Sequence, residues 1–182
     1  MKYFRLKDDI YYPQRWHLGS IINIDNWVFH EHHISLPNAL NIELIQDGCE
    51  TDFTFTAAYI VPIVSEKMKD ALMDVKNIRF EPVSVLDRQC SSKYFVMITE
   101  ETIDCIDEKN SVFDKFQVND PVRPDLAGKY RVFFDMKVDE NKISNSDVFR
   151  IENYNLAIIF SEKIVTRLKS LHLTGFKFDP VN

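Results

Sequence analysis

SEKMKDALMDVKNIRFEPV at residues 65–83 and SEKIVTRLKSLHLTGFKFDPV at residues 161–181 are the two stretches that decide the fold. Each opens on Ser-Glu-Lys and ends on Phe, an acidic residue, Pro and Val. Ser is a preferred helix N-cap because its hydroxyl accepts a hydrogen bond from a backbone N–H that the first turn leaves free. The Glu that follows is favourable beside the positive end of the helix dipole. The sequence therefore predicts one helix after Ser65 and another after Ser161.

The apolar residues behind each cap recur at helical spacing. They are Met68, Ala71, Leu72 and Val75 in the first stretch, and Ile164, Leu168 and Leu171 in the second. Such a stripe predicts a helix that buries one face. Apolar runs precede both caps, Gly175 stands where the second helix would stop, and extended residues follow. We therefore predict two similar strand–helix–strand units, with two unrelated helices that share only their caps and spacing as the alternative.

The remaining chain is rich in strand patterns. Residues 40–45 (LNIELI) and 51–57 (TDFTFTA) alternate apolar and polar side chains, and Asp47-Gly48 between them suits a hairpin turn. Residues 93–99 (KYFVMIT) and 129–138 (KYRVFFDMKV) are also strand-like. These patterns favour the α+β class, with mainly antiparallel sheets and a few helices.

Length and composition favour a single domain. The chain has 182 residues, and 45% of them are hydrophobic, which is enough apolar surface for one sizeable core. We expect residues 1–182 to form one domain, in which an N-terminal part of about 1–90 and a C-terminal part of about 91–182 share that core.

The net charge of −6, from 28 acidic and 22 basic residues, predicts no nucleic-acid partner, because the average surface field repels phosphates. No apolar run approaches the length of a membrane span, so no membrane association is expected. The three cysteines Cys49, Cys90 and Cys105 form no Cys-x-x-Cys pair and are predicted to be reduced thiols. A cytoplasmic location fits these features.

A search for catalytic motifs finds none that is specific. Only 4 Gly occur, all scattered, so the Gly-rich phosphate-binding loops are excluded, and no Gly-x-Ser-x-Gly is present. The sequence HEHH at residues 30–33 could place His30 and His32 on one face of a strand as metal ligands, or it could be a solvated polar turn. His17 is expected to be a structural hydrogen-bonding residue beside Trp16. We predict no cofactor and no resident metal.

One acidic run is a candidate binding site. Its members are Glu100, Glu101, Asp104, Asp107 and Glu108. At helical spacing they could form a solvated face, or a patch that binds a basic partner. A divalent cation is a third reading, although the run lacks the ligand pattern of a calcium loop.

Six short motifs together resemble a known family. They are WHLG at 16–19, VSEKMKDAL at 64–72 with FEPVSV at 80–85, DVFRI at 147–151, FSEKI at 160–164 and LTGFKFDPV at 173–181. In this order they resemble immunity family eleven of bacterial polymorphic toxin systems, formerly a domain of unknown function. The resemblance spans nearly the whole chain, with each motif only moderately specific.

The resemblance implies a protein that binds and neutralises a cognate toxin and so protects the cell that makes it. It implies no catalysis, and no catalytic residue carries over from the family. The five carboxylates between Glu100 and Glu108 are then a hypothesis for contact with a basic toxin surface. Two alternatives stay open, a ligand-binding or structural module and a small metal-dependent enzyme that uses His17 or residues 30–33.

Overall fold

The computed structural model describes residues 1–31 and 35–182. Within them lie thirteen strands and two α-helices. The strands are β1 (Tyr3–Asp8), β2 (His17–Ile21), β3 (Leu40–Gln46), β4 (Phe53–Phe55), β5 (Pro62–Ser65), β6 (Ile78–Val85), β7 (Tyr94–Thr99), β8 (Thr102–Ile103), β9 (Val112–Lys115), β10 (Tyr130–Asp135), β11 (Val148–Ile151), β12 (Tyr154–Ser161) and β13 (Phe176–Pro180). The helices are α1 (Glu66–Leu72) and α2 (Glu162–Ser170), and short 3-10 helices occupy Asn26–His30, Pro124–Leu126 and Glu140–Lys142.

The strands form three sheets. The largest has six strands in the order β2-β3-β6-β7-β5-β4, the second has five in the order β13-β1-β12-β11-β8, and β9 pairs with β10. All pairings are antiparallel except β3 with β6 and β8 with β11. The predicted α+β class with mainly antiparallel sheets is confirmed.

Both larger sheets curl until their outer strands are linked. In the six-stranded sheet, the backbone N–H of Ala57, just after β4, donates to the carbonyl of Leu18 in β2 at 2.9 Å. In the five-stranded sheet, Val138 bridges the two sides. It pairs with Ile106 close behind β8, and its N–H donates to the carbonyl of Val181 after β13 at 2.6 Å. Each curled sheet encloses apolar side chains on its concave face.

Three clusters of buried side chains make up the core. The N-terminal cluster, which includes Trp16, fills the six-stranded sheet, and the C-terminal cluster, which includes Phe149, fills the five-stranded one. The central cluster lies between the sheets and contains the buried faces of both helices, among them Met68 of α1 and Leu168 of α2. The helices therefore join the two sheets.

The two helix starts differ in detail. The Ser65 hydroxyl accepts a hydrogen bond from the N–H of Met68 at 3.3 Å, as an N-cap should. Ser161 makes no such bond, and its hydroxyl instead donates to the carboxylate of Asp147 at 2.6 Å. The second apolar stripe also needs correction, because Leu171 lies past the end of α2 and is 47% exposed, while Val165 is buried.

The predicted hairpin through Asp47-Gly48 is wrong. Strand β3 pairs with β2 and β6, whereas β4 pairs with β5 on the far side of the sheet. Gly48 serves a different purpose, since an added Cβ would lie 2.3 Å from the carbonyl oxygen of Gln14. The N–H of Cys49 donates to that same oxygen at 2.6 Å. A close approach of two chain segments, and not a tight turn, requires the glycine.

Strand β1 lies in the five-stranded sheet, whose other strands come from the second half of the chain. Strand β1 is hydrogen-bonded between β12 and β13, while β7 is hydrogen-bonded between β5 and β6. Both central strands begin with Tyr-Phe after a Lys, at Lys2 and at Lys93. The register is Tyr3 opposite Ser161 and Phe4 opposite Pro180 in one sheet, and Tyr94 opposite Ser65 and Phe95 opposite Pro82 in the other.

Candidate functional site

The acidic run does not form a helix. It follows β7 and continues through β8, whose parallel pairing with β11 holds residues 102–103 extended. The carboxylate of Glu101 accepts hydrogen bonds from Ser146 Oγ at 2.8 Å and from Asn77 Nδ2 at 3.0 Å, so it is engaged within the chain. Glu100 is exposed and lies 3.5 Å from the Nε of Arg79. The sheet pairing separates these two residues from the rest of the run.

Three of the five predicted carboxylates meet at one surface depression, here called the acidic depression. It has a volume of about 390 Å³ and is lined by Asp104, Ile106, Asp107, Glu108, Tyr130, Asp139 and Lys142. Asp139 was not predicted, because it lies more than thirty residues along the chain from Glu108. A 2.7 Å hydrogen bond from its N–H to the carbonyl of Cys105 brings it there.

Two carboxylates of the acidic depression, Asp107 and Glu108, are stabilised in the charged form. Hydrogen bonds from the side chain and backbone of Asn110 lower the pKa of Asp107. The Lys115 ammonium and the Tyr130 hydroxyl, each 2.6 Å from Glu108, lower the pKa of that carboxyl. With Asp104 exposed beside them, these groups present a negative surface to solvent at neutral pH.

The histidine predictions have different outcomes. His17 is exposed in β2, whereas His30 is buried, so the solvated turn is wrong for that residue. His32 and His33 lie outside the described residues. The ring of His30 contacts the carbonyl oxygen of Tyr59 at 2.5 Å through Nε2 and the Nη1 of Arg150 at 3.2 Å through Nδ1. Burial and the charge of Arg150 lower the pKa of His30 to about 4, so it is neutral at pH 7.

The described residues contain no group of three His, Cys, Asp or Glu side chains arranged to hold a metal ion. Cys49, Cys90 and Cys105 are unpaired thiols. Burial raises the pKa of Cys105 to about 12, which makes it a poor nucleophile at neutral pH.

A second depression, here called the aromatic groove, was missed by the sequence analysis. It has a volume of about 410 Å³, and its walls include Trp27, Phe116, Tyr130 and Tyr154. Arg123, Lys129 and Arg131 are the basic side chains of the lining, and Glu31 is the acidic one. Tyr130 also lines the acidic depression, so the two depressions share a wall.

Arg150 lies behind the wall of the aromatic groove. Its side chain is 2% exposed, and Nη1 donates to the carbonyl oxygen of Asn155 and contacts His30, two residues of the groove lining. In the described chain, its Nε and Nη2 have no hydrogen-bond partner, and it takes part in none of the ion pairs. Burial lowers the pKa of this guanidinium to about 10, so it stays charged at neutral pH.

The family of the chain follows from a comparison with protein-family models. The model of the immunity protein family Imm11 matches residues 47–182. The chain belongs to this immunity protein family. The match contains both helices and both depressions apart from Trp27 to Glu31 of the aromatic groove, and it begins after β3. The resemblance inferred from the short motifs is thereby confirmed.

Two further findings complete the comparison. A search of curated proteins gave no match. Neither α1 nor α2, nor any other helix in the described part of the chain, has the length and apolar character needed to cross a membrane.

Proposed function

We propose that this immunity protein binds a cognate bacterial toxin one to one in the cytoplasm and neutralises it there, protecting the cell that makes both. It acts as a partner in a polymorphic toxin system used in competition between bacteria, and it catalyses no reaction. The observation that carries the proposal is the family match over residues 47–182. The reduced form of all three cysteines is compatible with action inside the cell.

The acidic depression supports a more specific contact. Asp104, Asp107 and Glu108 present a negative surface on a protein whose net charge is −6. Complementary charge speeds the encounter of two proteins, and an inhibitor made beside its toxin benefits from rapid capture. We assign these three residues to contact with a basic surface of the toxin. Glu100 and Glu101, the other two carboxylates of the predicted run, lie outside the lining of this depression, and Glu101 is hydrogen-bonded within the chain.

The architecture supports a rigid binding surface. We infer that the chain is one domain built from two equivalent strand–helix–strand units, β5-α1-β6 and β12-α2-β13, which share one core. In each unit a Lys-Tyr-Phe strand runs between the two strands of the unit, and the Tyr faces the Ser that precedes the helix. The N–H of Glu66 donates to Lys93 O at 2.9 Å, and that of Glu162 donates to Lys2 O at 2.9 Å.

Preorganisation of this kind reduces the entropy lost on binding, which favours the slow dissociation that a toxin inhibitor needs. Each unit receives its middle strand from the opposite half of the chain, so the halves cannot move apart without breaking a sheet.

A charge-neutralising triple variant tests the contact. Asp104→Asn, Asp107→Asn and Glu108→Gln keep side-chain shape and remove three charges. The matched control, Asp70→Asn, Asp87→Asn and Glu162→Gln, removes three charges from exposed positions elsewhere. The toxin domain encoded beside the gene is first co-purified with the wild-type protein, and association rates are then measured at low and high salt.

We expect the first triple to associate about tenfold more slowly than wild type at low salt, with a smaller difference at high salt, because screening weakens steering. The control triple should associate nearly as fast as wild type. Equal rates for the two triples would exclude the acidic depression from the interface. A wild-type protein that neither co-purifies with the toxin nor suppresses its toxicity would refute the function itself.

A further inference from the structure

The lining of the aromatic groove contains more basic than acidic side chains, although Arg123 is paired with Asp125. The lining holds three basic side chains and one acidic one, whereas the whole chain has a net charge of −6. Lys129 is exposed, and within the described residues it takes part in none of the ion pairs. Arg131 is 56% exposed, and its Nη1 is 3.6 Å from a carboxylate oxygen of Asp120, so it is only loosely paired. Two cations on this rim are therefore available to an incoming anion.

Arg150 adds a charge that has no counterion within the described chain. A buried guanidinium without a carboxylate partner is unfavourable, because the cost of removing it from water is not offset by an ion pair. Two of its three nitrogens have no acceptor in the described chain, and its third contacts groove residues His30 and Asn155. His30 is neutral and so does not oppose this charge. An anion in the groove would be attracted by Arg150 from behind the wall and by the rim from in front.

The groove also offers the side-chain types that dominate protein interfaces. Trp, Tyr and Arg are the residues most often found at energetic hot spots, and here they line one concave surface. Trp27 is 44% exposed at its edge, although its ring packs edge-on against Tyr59 at a centroid distance of 5.5 Å. The guanidinium of Arg131 stacks over Phe116 at 5.5 Å, which keeps that cation oriented at the rim.

Resting on the function proposed above, we propose that the aromatic groove binds an acidic segment of the toxin, with a carboxylate placed between Lys129 and Arg131 and apolar side chains against Trp27 and Tyr154. Because Tyr130 separates this groove from the acidic depression, one toxin contacts both. The toxin then has an acidic segment next to a basic surface. A partner of a single charge sign would be repelled by one of the two depressions, and this requirement gives the pair its specificity.

The test compares two double variants that lose the same charge. The rim variant, Lys129→Gln with Arg131→Gln, removes the two rim cations. The control variant, Lys67→Gln with Lys76→Gln, removes two exposed cations elsewhere, one in α1 and one just after it. The affinity of each for the toxin domain encoded beside the gene is measured by calorimetry. We expect the rim variant to bind at least tenfold more weakly than wild type and the control to bind within about twofold of it. Lys129→Arg with Arg131→Lys should restore most of the affinity.

The outcomes separate this proposal from the proposed function. If the wild type binds the toxin and the rim variant binds equally well, the groove proposal is overturned while the function stands. If the wild type does not bind at all, the function fails first. Inorganic phosphate provides a probe for the competing possibility of a small-anion site. Phosphate that binds the groove without displacing the toxin would also overturn the proposal, whereas displacement of the toxin by phosphate would support it.

Discussion

Gly175 and Gly128 both lie in the left-handed region, with φ of +93° and +82°, yet only one of them is crowded. A Cβ at Gly175 would lie 2.1 Å from the carbonyl oxygen of Phe53, whereas a Cβ at Gly128 would meet nothing within 4 Å. The sequence predicted Gly175 as a helix stop. The structure places it beside Thr51 and Phe53, where the loop before β13 crosses the N-terminal half of the chain.

Substitution of each of these two glycines by alanine separates the cost of backbone strain from the cost of a steric clash. Gly128→Ala should cost about 1–2 kcal/mol of unfolding free energy, the ordinary penalty of a left-handed alanine. Gly175→Ala should cost about 3–5 kcal/mol, because a steric clash with backbone adds to that penalty. Urea denaturation of both variants measures the difference. Equal losses would show that the contact with Phe53 relaxes at no cost.

At the scale of single elements, short sequence patterns predicted the features that depend on residues close together in the chain. The Ser65 cap, the buried positions Met68 and Leu168, and most strands follow from spacing and side-chain type. The predicted hairpin through Asp47-Gly48 is wrong because the residues that favour a turn do not determine which strands pair with each other. The prediction that Leu171 continues the buried stripe is wrong because α2 ends at Ser170, and the Leu171 side chain is 47% exposed.

The corrected helix stripe leads to a direct prediction. Leu168→Ala should destabilise the protein by about 2–5 kcal/mol, because Leu168 is fully buried in the central cluster. Leu171→Ala should change stability by less than about 0.5 kcal/mol, because that side chain is largely exposed. Thermal or chemical denaturation of the two variants measures the stability that each one loses. Similar losses would contradict the observed stripe and support the predicted one, in which both side chains are buried.

The candidate site could be predicted only in part, for the same physical reason. Asp104, Asp107 and Glu108 are neighbours in sequence, so their charge was visible, but Asp139 joins them only through strand pairing. The aromatic groove draws Trp27, Arg131 and Tyr154 from three distant segments. No short stretch of sequence contains such a surface. The burial of Arg150 without a counterion also depends on the fold, so the sequence alone does not reveal it.

On the scale of the whole molecule, the exchanged strands set how the protein holds together. Strand β1 completes the sheet of β12 and β13, and β7 completes that of β5 and β6. The Asp52 carboxylate adds a further link between the halves, since it accepts hydrogen bonds from the N–H of Thr174 at 2.9 Å and from Ser65 Oγ at 2.7 Å. The sequence analysis did not predict that β1 lies between β12 and β13, or that β7 lies between β5 and β6.

Division of the chain between Ser91 and Ser92 tests this arrangement. Fragments 1–91 and 92–182 should each be unfolded alone, since β5 and β6 then lack β7, and β12 and β13 lack β1. Mixed or co-expressed, they should form a stable one-to-one complex with the circular dichroism of the intact protein. Cooperative thermal unfolding of fragment 1–91 by itself would contradict the need for β7 in that part of the chain. A cut between residues 118 and 119 serves as a control, because it keeps β7 with β5 and β6 while β1 stays separated from β12 and β13.

The position of β1 has a consequence for protein synthesis. Strand β1 is synthesised before β12 and β13, so it stays unpaired until Ile159 to Ser161 and Phe176 to Pro180 have been made. A ribosome that stalls after β7 and before β12 would release a product that contains all strands of the six-stranded sheet but leaves β1 without its partners. The five-stranded sheet can therefore close only after β13 has been made.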